Sequence, residues 1–264
     1  MQPTMSLEAV LKRDRVVVIV GIAVLAALAW VYMLYLAWGM EGMEMGASNM
    51  AMPSMQSWGA VDFVLMFIMW AIMMVAMMVP TAAPMILMFA AVNRRRREQQ
   101  RIFVTTVVFL AGYVVIWSGF AALATAAQWG LHTATLLSPM MVSTNSILGG
   151  SLLLAAGLFQ WSSIKYACLT QCRTPLGFIM GEWREGRRGA ISMGLRHGTY
   201  CLGCCWALMS LLFVLGVMNL LWIAALAGFV LVEKVAPGSL WISRLTGLAL
   251  IGWGAWMVTG AFGY

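Results

Sequence analysis

The stretch "VVVIVGIAVLAALAWVYMLYLAW", Val16–Trp38, runs for 23 residues without a charge. As a helix it would extend about 35 Å, enough to cross a hydrocarbon core of about 30 Å. The basic "LKRDR" segment before it raises the question of a secretory signal. The apolar run exceeds the 7–15 residues of a signal core and lacks a small-residue cleavage site, so it reads as a retained anchor. Similar runs recur along the chain at approximately Val61–Val92, Ile102–Gln128, Ser146–Ala167, Thr199–Val217, Leu220–Val232 and Leu240–Phe262. The second of the seven runs is overlong and contains Pro80 and Pro84, so a kink or a helix end is expected near Pro80.

Composition supports the same class. With 62% hydrophobic residues, 9% charged residues and a mean hydropathy of +0.89, the chain carries more apolar surface than a water-soluble fold could hide. Long continuous runs favour helices over the short alternating segments of a barrel. The expected fold is therefore all-α, a polytopic transmembrane helical bundle of about seven spans. Its expected divisions are an N-terminus at 1–15, an anchor at 16–38, a Met-rich loop at 39–60 and a six-span membrane domain at 61–264.

The basic residues orient this bundle. With the N-terminus cytoplasmic, Lys12, Arg13, Arg15, Arg94 to Arg97, Arg101, Lys165, Arg173, Arg184, Arg187, Arg188, Arg196, Lys234 and Arg244 all fall on the inner side, and the expected outer segments contain no Lys or Arg. The net charge of +7 then implies contact with anionic membrane lipid, with no need for a nucleic-acid partner.

Chemistry concentrates in "RHGTYCLGCCWALM", Arg196–Met209. His197, Cys201, Cys205 and Met209 are four apart and share a face if a helix already runs from His197, with Cys204 bordering it. Gly198 and Gly203 could instead loosen the start of that ladder. In the expected topology Cys168 and Cys172 end the fourth span at the same membrane depth, and Glu233 and Lys234 end the sixth. Met66, Met69, Met73 and Met77 line one face of the second.

Thiolate and thioether donors select soft metals, Cu(I) above all, while imidazole and carboxylate admit zinc or iron. The candidate ligands are His197, Cys201, Cys204, Cys205, Cys168 and Cys172. Met73, Met77, Met209 and Glu233 are further candidate donors, and Lys165 and Lys234 are candidates for supporting them through charge balance. The competing reading is plain packing, since cysteine behaves as a small hydrophobe and methionine as a gap-filler. Glu233 and Lys234 could also pair with each other or with Arg244.

The stretch "GMEGMEMGASNMAMPSM", Gly39–Met55, places Met40, Met43, Met45, Met50, Met52 and Met55 in a polar outer loop, suited either to copper capture or to a spacer. All five cysteines lie at or near the expected cytoplasmic side, which argues for ligands or reactive thiols over a structural disulfide. No nucleotide-binding "GxxxxGK[ST]" and no "CxxCH" for c-type haem occurs.

The ordered motifs "WAIMMVAMMVP" (70–80), "KYACLTQCRTP" (165–175), "GLRHGTYCLGCCWALM" (194–209), "GVMNLLW" (216–222) and "EK" (233–234) resemble a bacterial family of polytopic proteins described as predicted metal-binding integral membrane proteins. The resemblance covers roughly residues 60 to 255. It implies an inner-membrane, multi-pass protein that binds a transition metal. The expected function is metal handling with copper favoured, in contact with a membrane complex or a periplasmic metal-delivery partner. Two other classes compete: a membrane oxidoreductase using a fixed metal or reactive thiols, and a non-catalytic subunit of a larger membrane complex.

Overall fold

The computed structural model describes residues 7–47, 59–98, 106–134, 146–236 and 238–261. Among them the regular structure is helical: α1 (Leu7–Ala47), α2 (Ala60–Thr81), α3 (Ala83–Glu98), α4 (Thr106–Thr133), α5 (Ser146–Phe159), α6 (Ser163–Arg173), α7 (Pro175–Glu182), α8 (Gly186–Ser210), α9 (Leu212–Leu215), α10 (Leu220–Val235) and α11 (Ser239–Ala261).

The proline signal in the second run marks a real boundary. Pro80 closes α2, the Ala82 N–H bonds back to the Met78 and Val79 carbonyls, and the Thr81 hydroxyl donates to the Met78 carbonyl at 2.9 Å. Helix α3 then starts afresh with Pro84 in its first turn. The fourth run breaks where none was expected. α5 and α6 meet at a bend of 63° across Gln160–Ser162. The cause is a cap: the Ser162 hydroxyl accepts the Lys165 N–H at 3.1 Å and starts a new helix in a new direction. The tight connection expected at Met218-Asn219 is present, with Gly216 at φ +99° and Asn219 capping α10.

Among the described residues, four helical stretches are long and apolar enough to cross a membrane: 15–39, 60–81, 106–133 and 186–215. The bent α5–α6 pair makes a fifth if it counts as one span. The seven expected from sequence are not reached by this measure. Helix α10, with 16 residues, rises only about 24 Å, and α11 is diluted by Arg244 and its glycines, serines and threonines. Helix α1 also runs on to Ala47, so residues 39–47, expected as loop, are helical.

The helices that position the site approach backbone to backbone. A Cβ on Gly112 of α4 would lie 2.5 Å from the Ile191 carbonyl of α8, and one on Gly194 would fall on the Phe109 carbonyl. On the other side, Gly150 and Gly157 of α5 meet Gly254 and Gly247 of α11 in the same way, each Cβ position lying 2.8 Å from the facing carbonyl. Small residues are what allow such contact. Gly194→Leu is expected to force α4 and α8 apart, costing at least the ~1–3 kcal/mol typical of overpacking, and to lower the melting temperature in detergent. An unchanged melting curve would refute that role.

Candidate metal centre

Helix α8 is continuous from Gly186, so the four-residue ladder forms as a ladder. His197, Cys201, Cys205 and Met209 are all buried, as is Cys204 beside them. The glycines that could have broken the helix serve as contact points. Gly198 receives Ile116 and the Tyr113 carbonyl, and a Cβ on Gly203 would lie 2.7 Å from Cys168 Sγ.

Four thiols are gathered in one region. Cys172, on α6, is buried within interaction range of the thiols of Cys201 and Cys204. Cys205 is in the same range from within α8. The Cys204 and Cys205 thiols also donate to the Cys201 carbonyl at 3.1 and 3.0 Å. A fifth sulfur comes from α2, where Met78 Sδ lies 4.0 Å from Cys205 Sγ. Three helices therefore bring five sulfur atoms into one buried neighbourhood.

Polar groups close around Cys201. The Lys234 ammonium donates to its sulfur at 3.0 Å and to the Thr81 hydroxyl at 2.8 Å. The Tyr113 hydroxyl lies 3.1 Å from the same sulfur and donates to the Met78 carbonyl at 3.0 Å. The Lys234 charge complements that of a metal-bound thiolate, the form of cysteine that ligates. His197 sits one turn below, stacked on Tyr113 at 5.6 Å and met edge-on by Phe178 at 5.6 Å. Its Nδ1 is buried and, among the described residues, has no hydrogen-bond partner, an uncommon condition that a hydrogen-bonding group or a bound ion would relieve. A cavity of about 210 Å³, walled by Thr81, Pro84, Cys172, Arg173, His197 and Lys234, leads from exposed Pro84 to this imidazole and to Cys172.

Among the described residues, no three His, Cys, Asp or Glu side chains already close on a common point as a preformed cage. The Cys204 and Cys205 thiols are hydrogen-bonded to backbone, and Cys201 to Lys234 and Tyr113. Binding an ion would exchange those contacts for metal bonds and release protons.

The other sequence candidates fall nearby or elsewhere. Cys168 is half-buried against Gly203, at the margin of the cluster. Met73 and Met77 are buried on α2, but the methionine that meets the thiols is Met78. Met209 lies buried one turn beyond Cys205. Glu233 pairs with Lys165, not with Lys234 or Arg244: the Lys165 ammonium donates to its two carboxylate oxygens at 2.7 and 2.9 Å and also to Gln160, while the Ser243 hydroxyl donates to Glu233 at 2.5 Å. Met40, Met43 and Met45 lie on the last stretch of α1, and Met50, Met52 and Met55 fall outside the described residues.

Met78, Tyr113 and Thr81 were missed from sequence. A 3-4-4 spacing picks out the Met77 face of α2 and passes over its neighbour, and Tyr113 is a single hydroxyl inside an apolar run. Thr81 follows Pro80 directly, and that adjacency was a usable signal, because a side chain at a proline-closed terminus is free to face a neighbour.

The fold and the cluster define a class: an all-helical protein with helices fit for a membrane, built around a buried sulfur-rich centre. Residues 67–257, well over half of the chain, match the model of the PpoB2 family, described as copper chaperone. The chain belongs to that family, and copper handling is the class of role the family assigns to it. No curated protein and no solved structure matches.

Proposed function

We propose that the chain is a chaperone of the bacterial inner membrane that holds Cu(I) as cargo among Cys172, Cys201, Cys204, Cys205 and Met78, close to the cytoplasmic side. The observation that carries this reading is the gathering of five sulfur atoms from α2, α6 and α8 in one buried neighbourhood. Soft donors in that number favour Cu(I) over the harder divalent ions. The unpartnered His197 Nδ1 and the cavity beside it supply a further donor on the route by which the ion arrives or leaves. Membrane placement rests on the long apolar helices, and the orientation rests on the one-sided distribution of Lys and Arg. Lys234 supports the site by balancing the charge of the thiolates.

The test is an anaerobic titration of detergent-purified protein with Cu(I) against a competing chelator. The protein is expected to retain copper in preference to zinc, with an absorption edge and ligand shell dominated by sulfur. Lys234→Met should weaken Cu(I) affinity by the ~10–100-fold typical of residues that support metal ligands. Failure to retain copper, or a shell of oxygen and nitrogen only, would overturn the proposal.

A further inference from the structure

We propose that the cleft at the α5–α6 break binds the phosphate of an anionic phospholipid headgroup. The cleft measures about 390 Å³, and Gln160, Trp161, Ser162, Ser163, Lys165 and Arg244 are among the residues that wall it. It lies apart from the thiols and does not depend on the copper reading. It rests instead on the chain lying in a membrane.

Three features make the cleft a receptor for an anion. The N-termini of two helices border it: α6 begins at Ser163, and α11 begins at Ser239 with Leu240 in the wall. The Ser162 cap takes only the Lys165 N–H, so other first-turn N–H groups of α6 have no acceptor within the helix. The second feature is Gln160, which is 95% buried. Its Oε1 accepts from the Lys165 ammonium, which turns the amide so that Nε2 faces away, buried and, among the described residues, without a hydrogen-bond partner. That amide is a donor already oriented by its neighbour.

The third is Arg244. Its guanidinium carbon sits 5.8 Å from the ring centre of Trp161 and 5.9 Å from that of Trp241. These cation–π contacts hold the guanidinium near the rings without taking up its N–H groups, which can meet a phosphate. Among the described residues, no Asp or Glu lines the cleft, and Glu233 is already matched by Lys165. An occupant must therefore bring negative charge and several acceptor oxygens, which is the chemistry of a phosphate.

The surroundings identify the source of that phosphate. Trp161, Trp241 and Tyr166 are 51, 69 and 53% exposed around the opening, large amphipathic rings of the type that collects at the level of lipid headgroups. A soluble phosphate compound would gain nothing from this apolar rim, whereas acyl chains would lie against it.

Native mass spectrometry of the full chain in detergent, with equimolar phosphatidylglycerol and phosphatidylcholine, tests the proposal. The wild type should retain phosphatidylglycerol at least about tenfold in preference to phosphatidylcholine, and Arg244→Ala should abolish most of that preference, as expected for loss of one charge-assisted contact. Inorganic phosphate at millimolar concentration should not displace the lipid. Equal retention of the two lipids, an unchanged preference in Arg244→Ala, or displacement by inorganic phosphate would overturn it, the last by making a soluble anion the ligand. Copper retention should be the same in wild type and Arg244→Ala, so this outcome is read separately from that of the thiol cluster. If the alanine variant fails to fold, Arg244→Gln, which keeps a long polar side chain without the charge, carries the same readout.

Discussion

Substituting serine for Cys172, Cys201, Cys204 and Cys205 together should reduce copper in the purified protein to the level of a chain never exposed to the metal. Serine keeps the size of the side chain and its capacity to hydrogen-bond, but replaces soft thiolate by a hard hydroxyl that is not ionised at neutral pH. The existing hydrogen bonds from the Cys204 and Cys205 thiols to the Cys201 carbonyl can be reproduced by hydroxyls, so the helices should still assemble. The check is metal analysis of wild type and variant, paired with helical circular dichroism and elution volume to show that both are folded. Within the series, removing Cys172 alone separates an α8 site from one shared between helices. If α8 sufficed, Cys172→Ser would leave affinity unchanged. Full copper content in the quadruple variant would remove the cluster from consideration.

The second large effect concerns stability. Lys165 and Glu233 form an ion pair with both side chains 2% exposed, completed by Gln160 and Ser243. Removing one partner strands a buried charge, a change that costs about 3–5 kcal/mol. Lys165→Met is therefore expected to lower the melting temperature by roughly 10 °C for a chain of this size. The double variant Lys165→Met with Glu233→Leu should recover most of the loss, because two apolar side chains in place of a buried pair are often neutral or stabilising. A double variant no better than the single would show that the pair does more than neutralise charge.

Much of this arrangement was legible in the chain. The shared helical face of His197, Cys201 and Cys205 on α8, the break after Pro80 and the turn before α10 all follow from periodicity, proline and glycine chemistry. Other parts depend on tertiary contacts that no local pattern records. The choice between Met77 and Met78 is a matter of how α2 is rotated against α8, and a spacing rule cannot select between adjacent residues on that basis. The α5–α6 bend was hidden because a short serine cap inside an apolar run looks like one uninterrupted span. The partners of Glu233 and Lys234 illustrate the same limit. Consecutive helical residues point in directions about 100° apart and cannot face each other. Glu233 accordingly serves Lys165 while Lys234 serves Cys201.

The chain holds only five cysteines, and every one lies in or beside the centre on α6 and α8. Alkylating reagents and sulfhydryl-directed probes thus have a single address in this molecule and no background to subtract. Cys168, half-buried at the margin, is the residue that should be labelled first. Modification of the other four then becomes a clock for the parting of α6 from α8, and cargo held between them should stop that clock.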